Sequence, residues 1–178
     1  MLAINHLHWI DIPLVGVLSP RTIHFVAKVE AARFPALGRF LRLHGTIAIR
    51  RGESDRDAVR EMRDVARTGG VVGLFVEGTR QKTGRPGRAQ PGAAMVGVQE
   101  RVPVQPVAIY GTQFWKPGNF APCSVAFGEP VELEGYPKGG RGYREATAEI
   151  ERRINVLFDW LAELHAQGKR PKHATPPV

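Results

Sequence analysis

The sequence predicts an α/β domain, a single unit with a mostly parallel central sheet flanked by helices, and three observations carry that expectation. Short β-branched or apolar runs recur: "TIHFVA" at 22–27, "TIAI" at 46–49, "VVGLFV" at 71–76, "VQPVAIY" at 104–110 and "SVAF" at 124–127. They read as buried strands. Segments of helical period lie between them, which is the alternation that builds a parallel sheet. At 178 residues and 43% apolar content, the chain is long enough for one domain with its own core.

The helices follow in order. Pro13 falls in the first turn of a helix that starts near Asp11, where a missing N–H costs nothing. In "SDRDAVREMRDVARTGG", 54–70, Ser54 can cap, Asp57 follows three residues on, and Gly69 and Gly70 end the pattern. Ala58, Val59, Met62, Val65 and Ala66 form its inner stripe. "PGAAMVG", 91–97, begins another helix, whose positive end faces the basic, Gly/Pro-rich loop 80–92. A last helix is predicted from Tyr143 to His165, with Ile150, Ile154, Leu157, Phe158, Leu161 and Leu164 on one face. The domain is thus expected over 1–166, and 167–178, "QGKRPKHATPPV", as a loose basic tail.

Lys and Arg number 25 against 17 Asp and Glu, for a net charge of +8. Such a field draws in anionic partners, whether nucleic acid, anionic membrane, or phosphorylated and acidic-carrier substrates, and charge alone does not choose among them. No nucleic-acid motif and no interleaving of aromatics with the basic residues is found, so nucleic acid is not an expected partner. The single cysteine, Cys123, excludes an internal disulfide and a Cys-rich zinc cluster, and it reads as a small core residue. There is no signal-peptide order and no long apolar span. Cytoplasmic exposure, peripheral at the inner face of a membrane, is the expectation.

Chemistry concentrates in "NHLHWID", 5–11. His6 and Asp11 are five apart, roughly 140° on a continuous helix at about 100° per residue. A pairing therefore needs His6 in a loop and Asp11 reaching back from the first turn of the following helix. The carboxylate would then orient one imidazole nitrogen while the other takes a proton from a hydroxyl. Two other readings compete. Asp11 can simply cap its helix. His6, His8 and Asp11 can instead be ligands of a metal-dependent hydrolase, since "HLHWID" loosely resembles the metal box of the metallo-β-lactamase fold; however, no histidine follows the Asp, which comes one place late.

A second group is "LFVEGTRQKTG", 74–84, where a strand runs into Glu77, Gly78, Thr79 and Arg80. Such a turn can offer amides and a guanidinium fork to a phosphate; an ordinary loop with an exposed Glu/Arg pair is the plainer alternative. "GTIAIRRG", 45–52, ends in Arg50 and Arg51, and "VPVQPVAIYGT" begins at 102. "ARFPALGRFLRLHG", 32–45, joins Phe34, Leu37, Phe40, Leu41 and Leu43 to Arg33, Arg39 and Arg42. That pattern suits anionic headgroups or a helix packed on the sheet.

In order and spacing, "NHLHWID", "GTIAIRRG", "FVEGTRQ" and "VPVQPVAI", with "AKVEAARFP" between the first two, closely resemble the four blocks of the glycerophospholipid acyltransferase family, which includes the PlsC-like lysophosphatidic acid acyltransferases. The resemblance implies that His6 is the base and Asp11 its partner, activating the hydroxyl of 1-acyl-glycerol-3-phosphate to attack an acyl thioester on coenzyme A or acyl carrier protein. It implies no metal and no other cofactor. It further implies that Arg51, Gly78 and Arg80 hold the acceptor's phosphate, that Lys28 adds positive charge, and that Glu77 contacts the glycerol. Asn5 counts among the substrate-binding residues and steadies the loop of the first block, and Thr79 is a further, weaker contact. His8, Val76 and Gln81 stand where relatives commonly have Ser, Pro and Ser. Relatives also carry membrane-entering helices before the first block; here "MLAI" alone precedes it, as the remnant of a strand. The expectation is a domain lacking those helices, because its start is assigned late, because the chain is a trimmed form, or because it grips membranes without them. A binding module acting by charge alone, toward anionic lipid or nucleic acid, is the non-catalytic alternative.

Overall fold

The structure, a computed structural model, describes residues 1–28, 38–39, 43, 45–49, 56–119, 121–171 and 174–178; the side chain of Lys28 lies outside the description. In chain order the elements are β1 (Leu2–Ile4), α1 (Asp11–Leu18), β2 (Ile23–Lys28), β3 (Ile47–Ile49), α2 (Arg56–Arg67) and β4 (Val71–Phe75). They continue with α3 (Gly92–Glu100), β5 (Gln105–Tyr110), β6 (Ser124–Phe127) and α4 (Gly140–Ala166). Among the described residues the strands form one six-stranded sheet in the order β3-β2-β4-β1-β5-β6. All pairs are parallel except β5 with β6. This is the expected α/β architecture.

One of the two central strands, β1, is only three residues long, as is β3 at one edge. β1 pairs with β4 through Leu2 to Gly73 and Ile4 to Phe75, and with β5 through Leu2 to Gln105 and Ile4 to Val107. Leu2–Ile4 of "MLAI" is thus a central strand, laddered to a parallel neighbour on each side.

Alternation along the strands divides the core into two layers. Leu2, Ile4, Phe25, Phe75, Val107 and Ile109 face α1, where Ile12 and Val15 meet them. Ala3, Val26, Val72 and Ala108 point the other way, toward α2, α3 and α4. Ala58, Met62 and Ala66 of α2 are buried in the second layer. The Ser54 cap expected for this helix lies outside the described residues.

α4 begins at Gly140, three residues before the expected start, and buries Ile150, Ile154, Leu157, Phe158 and Leu161. Of the segment 167–178, expected to be a loose basic tail, residues 167–171 and 174–178 are described, and Val178 lies against the fold. The carbonyl of Val178 accepts from the Glu129 amide at 2.9 Å, and its side chain packs on the cluster of Leu157 and Phe158.

Parallel strands send their carboxyl ends to one edge. The loops after β1, β4 and β5 leave from adjacent strands, so residues 5–10, 76–91 and 111–119 converge there, where open α/β sheets hold their ligands. Two glycines shape these exits. Gly111 has φ +96°, and a Cβ on it would lie 2.2 Å from the Pro122 carbonyl; Gly78 has φ +68° with open space around it.

Candidate active site

His6 leaves β1 in a loop, and Asp11 is the first residue of α1. His6 Nδ1 lies 2.8 Å from Asp11 Oδ2. The same oxygen accepts from the backbone amides of Leu7 and His8, each at 2.7 Å. Asp11 is fully buried. It does not cap its helix: Ile10 occupies the cap position without a side-chain bond, and the carboxylate is spent inside the preceding turn. An ionised carboxylate only accepts, so Nδ1 carries the hydrogen and Nε2 is left with its lone pair. The imidazole rests on Phe75 with ring centroids 4.1 Å apart.

Asn5 is fully buried. Its Oδ1 accepts from the Ile109 amide at 2.7 Å, and its Nδ2 donates to the Ile109 carbonyl at 3.1 Å. This residue, expected among the substrate contacts, spends both polar ends on β5. It anchors the loop that carries His6, because a buried side-chain amide satisfies the β5 backbone where β1 has ended.

The loop after β4 is stitched to His6. The Val76 amide donates to the Ile4 carbonyl at 2.9 Å, and the Gln81 amide donates to the His6 carbonyl at 2.8 Å. Arg80, next to that second bond, is exposed, as are Gly78 and Thr79. Its guanidinium is close enough to help hold the His8 imidazole below its ordinary pKa, after burial as the larger cause, while Asp11 pulls the other way.

Glu77 is not the exposed partner of Arg80 that a plain loop would offer. It is buried, and burial pushes its carboxyl up to about 7. The amides of Glu77, Gly87 and His6 pull the other way; the Gly87 bond measures 3.3 Å. Gly87 belongs to the basic loop 80–92, so Glu77 links that loop to the first motif. Sequence reading missed this contact and the His8 environment: the His8 ring lies 5.8 Å from that of Trp9 and 5.7 Å from that of Trp115. The aromatic run at Phe114 and Trp115, just past β5, was the available signal.

Four buried side-chain atoms lack a hydrogen-bond partner among the described residues: His8 Nδ1, Asp11 Oδ1, Glu77 Oε2 and Thr112 Oγ1. All belong to this edge of the sheet. Among the described residues no group of three His, Cys, Asp or Glu side chains is arranged to hold a metal ion. Arg51 lies outside the described residues, as do the Lys28 side chain and most of the basic amphipathic segment 33–43. Leu43, from its end, is exposed. Cys123 is half-buried rather than in the core, with its thiol pushed up by burial and by the charge of Asp11. No helix among the described residues is long and apolar enough to cross a membrane.

A histidine held by a buried acid, beside an exposed arginine loop at a sheet's carboxyl edge, can ionise an alcohol near an anion. A family model described as Acyltransferase matches residues 1–110. The chain belongs to the acyltransferase family. A lyso-ornithine lipid O-acyltransferase of Pseudomonas aeruginosa is 37% identical over 107 residues, 59% of this chain and 40% of that protein. A 1-acyl-sn-glycerol-3-phosphate acyltransferase of Cocos nucifera is 30% identical over 141 residues, 73% of this chain and 45% of the relative. Among acyltransferases of known structure, the 1-acyl-sn-glycerophosphate acyltransferase PlsC from Thermotoga maritima superposes with a TM-score of 0.70 at 27% identity, over 93% of this chain and 66% of that one. The acyltransferase fold is thus shared, while this chain spans less than half the length of the Pseudomonas and Cocos relatives.

Proposed function

We propose that this chain transfers a fatty acyl group from an acyl thioester, on coenzyme A or acyl carrier protein, to the free hydroxyl of a lysophospholipid. 1-Acyl-glycerol-3-phosphate is the acceptor and phosphatidic acid the product, a step of phospholipid biosynthesis at the inner face of a membrane. The observation that carries the proposal is the bond from His6 Nδ1 to Asp11 Oδ2, 2.8 Å long, which leaves Nε2 as a base.

Nε2 takes the hydroxyl proton as the oxygen attacks the thioester carbonyl. The tetrahedral intermediate collapses, the C–S bond breaks, and the departing thiolate receives that proton from the imidazolium. Asp11 stabilises the imidazolium between the two transfers. A positioned base of this kind contributes about 10² to 10⁴-fold. The proposed steps use no cofactor beyond the thioester.

Arg80 and the Gly78 amide hold the acceptor's phosphate, with Thr79 beside them and the charges of Lys28 and Arg51 added as the family resemblance implies. Glu77, with a carboxyl near neutrality, exchanges a hydrogen bond with the glycerol part. The similarity to the Pseudomonas protein favours a second acceptor, a lyso-ornithine lipid. A product assay with purified chain, labelled acyl-CoA and both acceptors tests these readings. Labelled phosphatidic acid supports the first, labelled ornithine lipid alone reassigns the acceptor, and no acylation of either refutes acyl transfer by this chain.

A further inference from the structure

We infer that the edge around His6 is itself a membrane-contact face, on which Trp9, Phe114 and Trp115 enter the headgroup boundary of an anionic bilayer while nearby cations meet its phosphates. The inference rests on the acceptor being a membrane lipid, and it names the surface through which that lipid arrives.

Trp9 and Phe114 are among the exposed large hydrophobic residues, at 43% and 58%. Trp9 lies on the loop after β1, and Phe114 and Trp115 follow β5. Those strands are parallel neighbours, so the aromatics leave from the same edge as the catalytic pair. The Trp9 and Trp115 rings meet edge to face at 5.9 Å, and both lie near the His8 ring. Burial and Arg80 hold His8 down, so it joins this group uncharged at neutral pH.

Charge points the same way. The stretches 78–92 and 112–123 contain Arg80, Lys82, Arg85, Arg88 and Lys116, and neither contains an Asp or Glu. Arg85 is paired with Asp159 of α4 at 2.6 Å. Arg80, Lys82, Arg88 and Lys116 are exposed. Asp11 and Glu77, the carboxylates of this edge, are buried, so indoles with polar tips flanked by exposed cations match the boundary of an anionic leaflet. A planar nucleotide ring is disfavoured, because the edge-to-face tryptophans close the gap it would stack in. An acidic protein would answer to the cations but leave the exposed aromatics without a reason.

The test uses the full chain carrying Trp160→Phe, so that Trp9 and Trp115 alone of its three tryptophans report. It is titrated with phosphatidylcholine vesicles, with or without phosphatidylglycerol, whose acyl chains are brominated near the headgroup. On anionic vesicles the emission should shift to the blue and be quenched. Phe114→Ser should weaken binding several-fold, and Lys82→Gln and Lys116→Gln about five-fold each. Phe114→Ser should also lower turnover of vesicle-borne acceptor while leaving a water-soluble short-chain acceptor unaffected. Failure to bind anionic vesicles, binding without quenching, binding unchanged in all three variants, or a spectral response only to an acidic soluble protein would overturn the inference. A parent chain inactive on the soluble acceptor would instead refute acyl transfer, with the quenching result judged separately.

Discussion

His6 Nδ1 and Asp11 Oδ2 lie 2.8 Å apart, although one residue sits in a loop and the other opens a helix. The two amides that also donate to Oδ2 fix the carboxylate before any substrate arrives. The imidazole is therefore held in one tautomer and one orientation by backbone that the sheet positions, which is the preorganisation a general base needs.

Asp11→Asn removes the charge and keeps the shape. Charge-assisted bonds are about twice as strong as neutral ones, and the imidazolium loses its counter-ion. Turnover should fall by about 10² to 10⁴-fold, with a loss of about 1–3 kcal/mol in urea unfolding. Steady-state kinetics and a denaturation curve on the same preparation check both.

Replacing Asn5 by Leu leaves the amide and carbonyl of Ile109 buried without their partners. Each such orphan costs about 1–3 kcal/mol. A substantial fall in the urea midpoint with unchanged m-value is expected, and activity should fall with it because the His6 loop loses its anchor.

Glu77 gives stability a pH dependence of defined sign. Its folded pKa is raised from 4.5 to about 7, so between those values the folded chain keeps a proton that the unfolded chain has released. Its contribution to stability therefore declines as pH rises through that window, and the full penalty, about 3 kcal/mol at most, stands above it. Glu77→Gln should melt several degrees higher than the parent at pH 8, with the gap closing toward pH 4.5. Thermal scans across pH test this.

Arg80 is tied to the first motif by its charge. Because that charge helps hold His8 down, Arg80→Ala should raise the His8 pKa in an NMR titration. The same change should raise KM for a phosphate-bearing acceptor more than it lowers kcat.

Much of this was legible because it is local. Continuous apolar runs located β2 to β6, and the spacing from His6 to Asp11 required a loop followed by a helix start, which is the observed arrangement. What escaped depends on distant contacts. Asn5 meets Ile109 across 104 positions, and Glu77 is buried by a loop that returns through Gly87. No window of sequence displays either. Trp9 and Trp115 likewise become neighbours only because β1 and β5 are adjacent strands. Val178, half-buried against Leu157 and Phe158, makes a contact that the composition of 167–178 does not display.

The most direct measurement is thioester-dependent acylation by the purified chain and by His6→Ala, with thiol release followed continuously and the fold checked by melting temperature. Loss of about 10² to 10⁴-fold in kcat, with the melting temperature preserved, is the expected result. A folded His6→Ala chain that acylates within a few-fold of the parent would contradict the account.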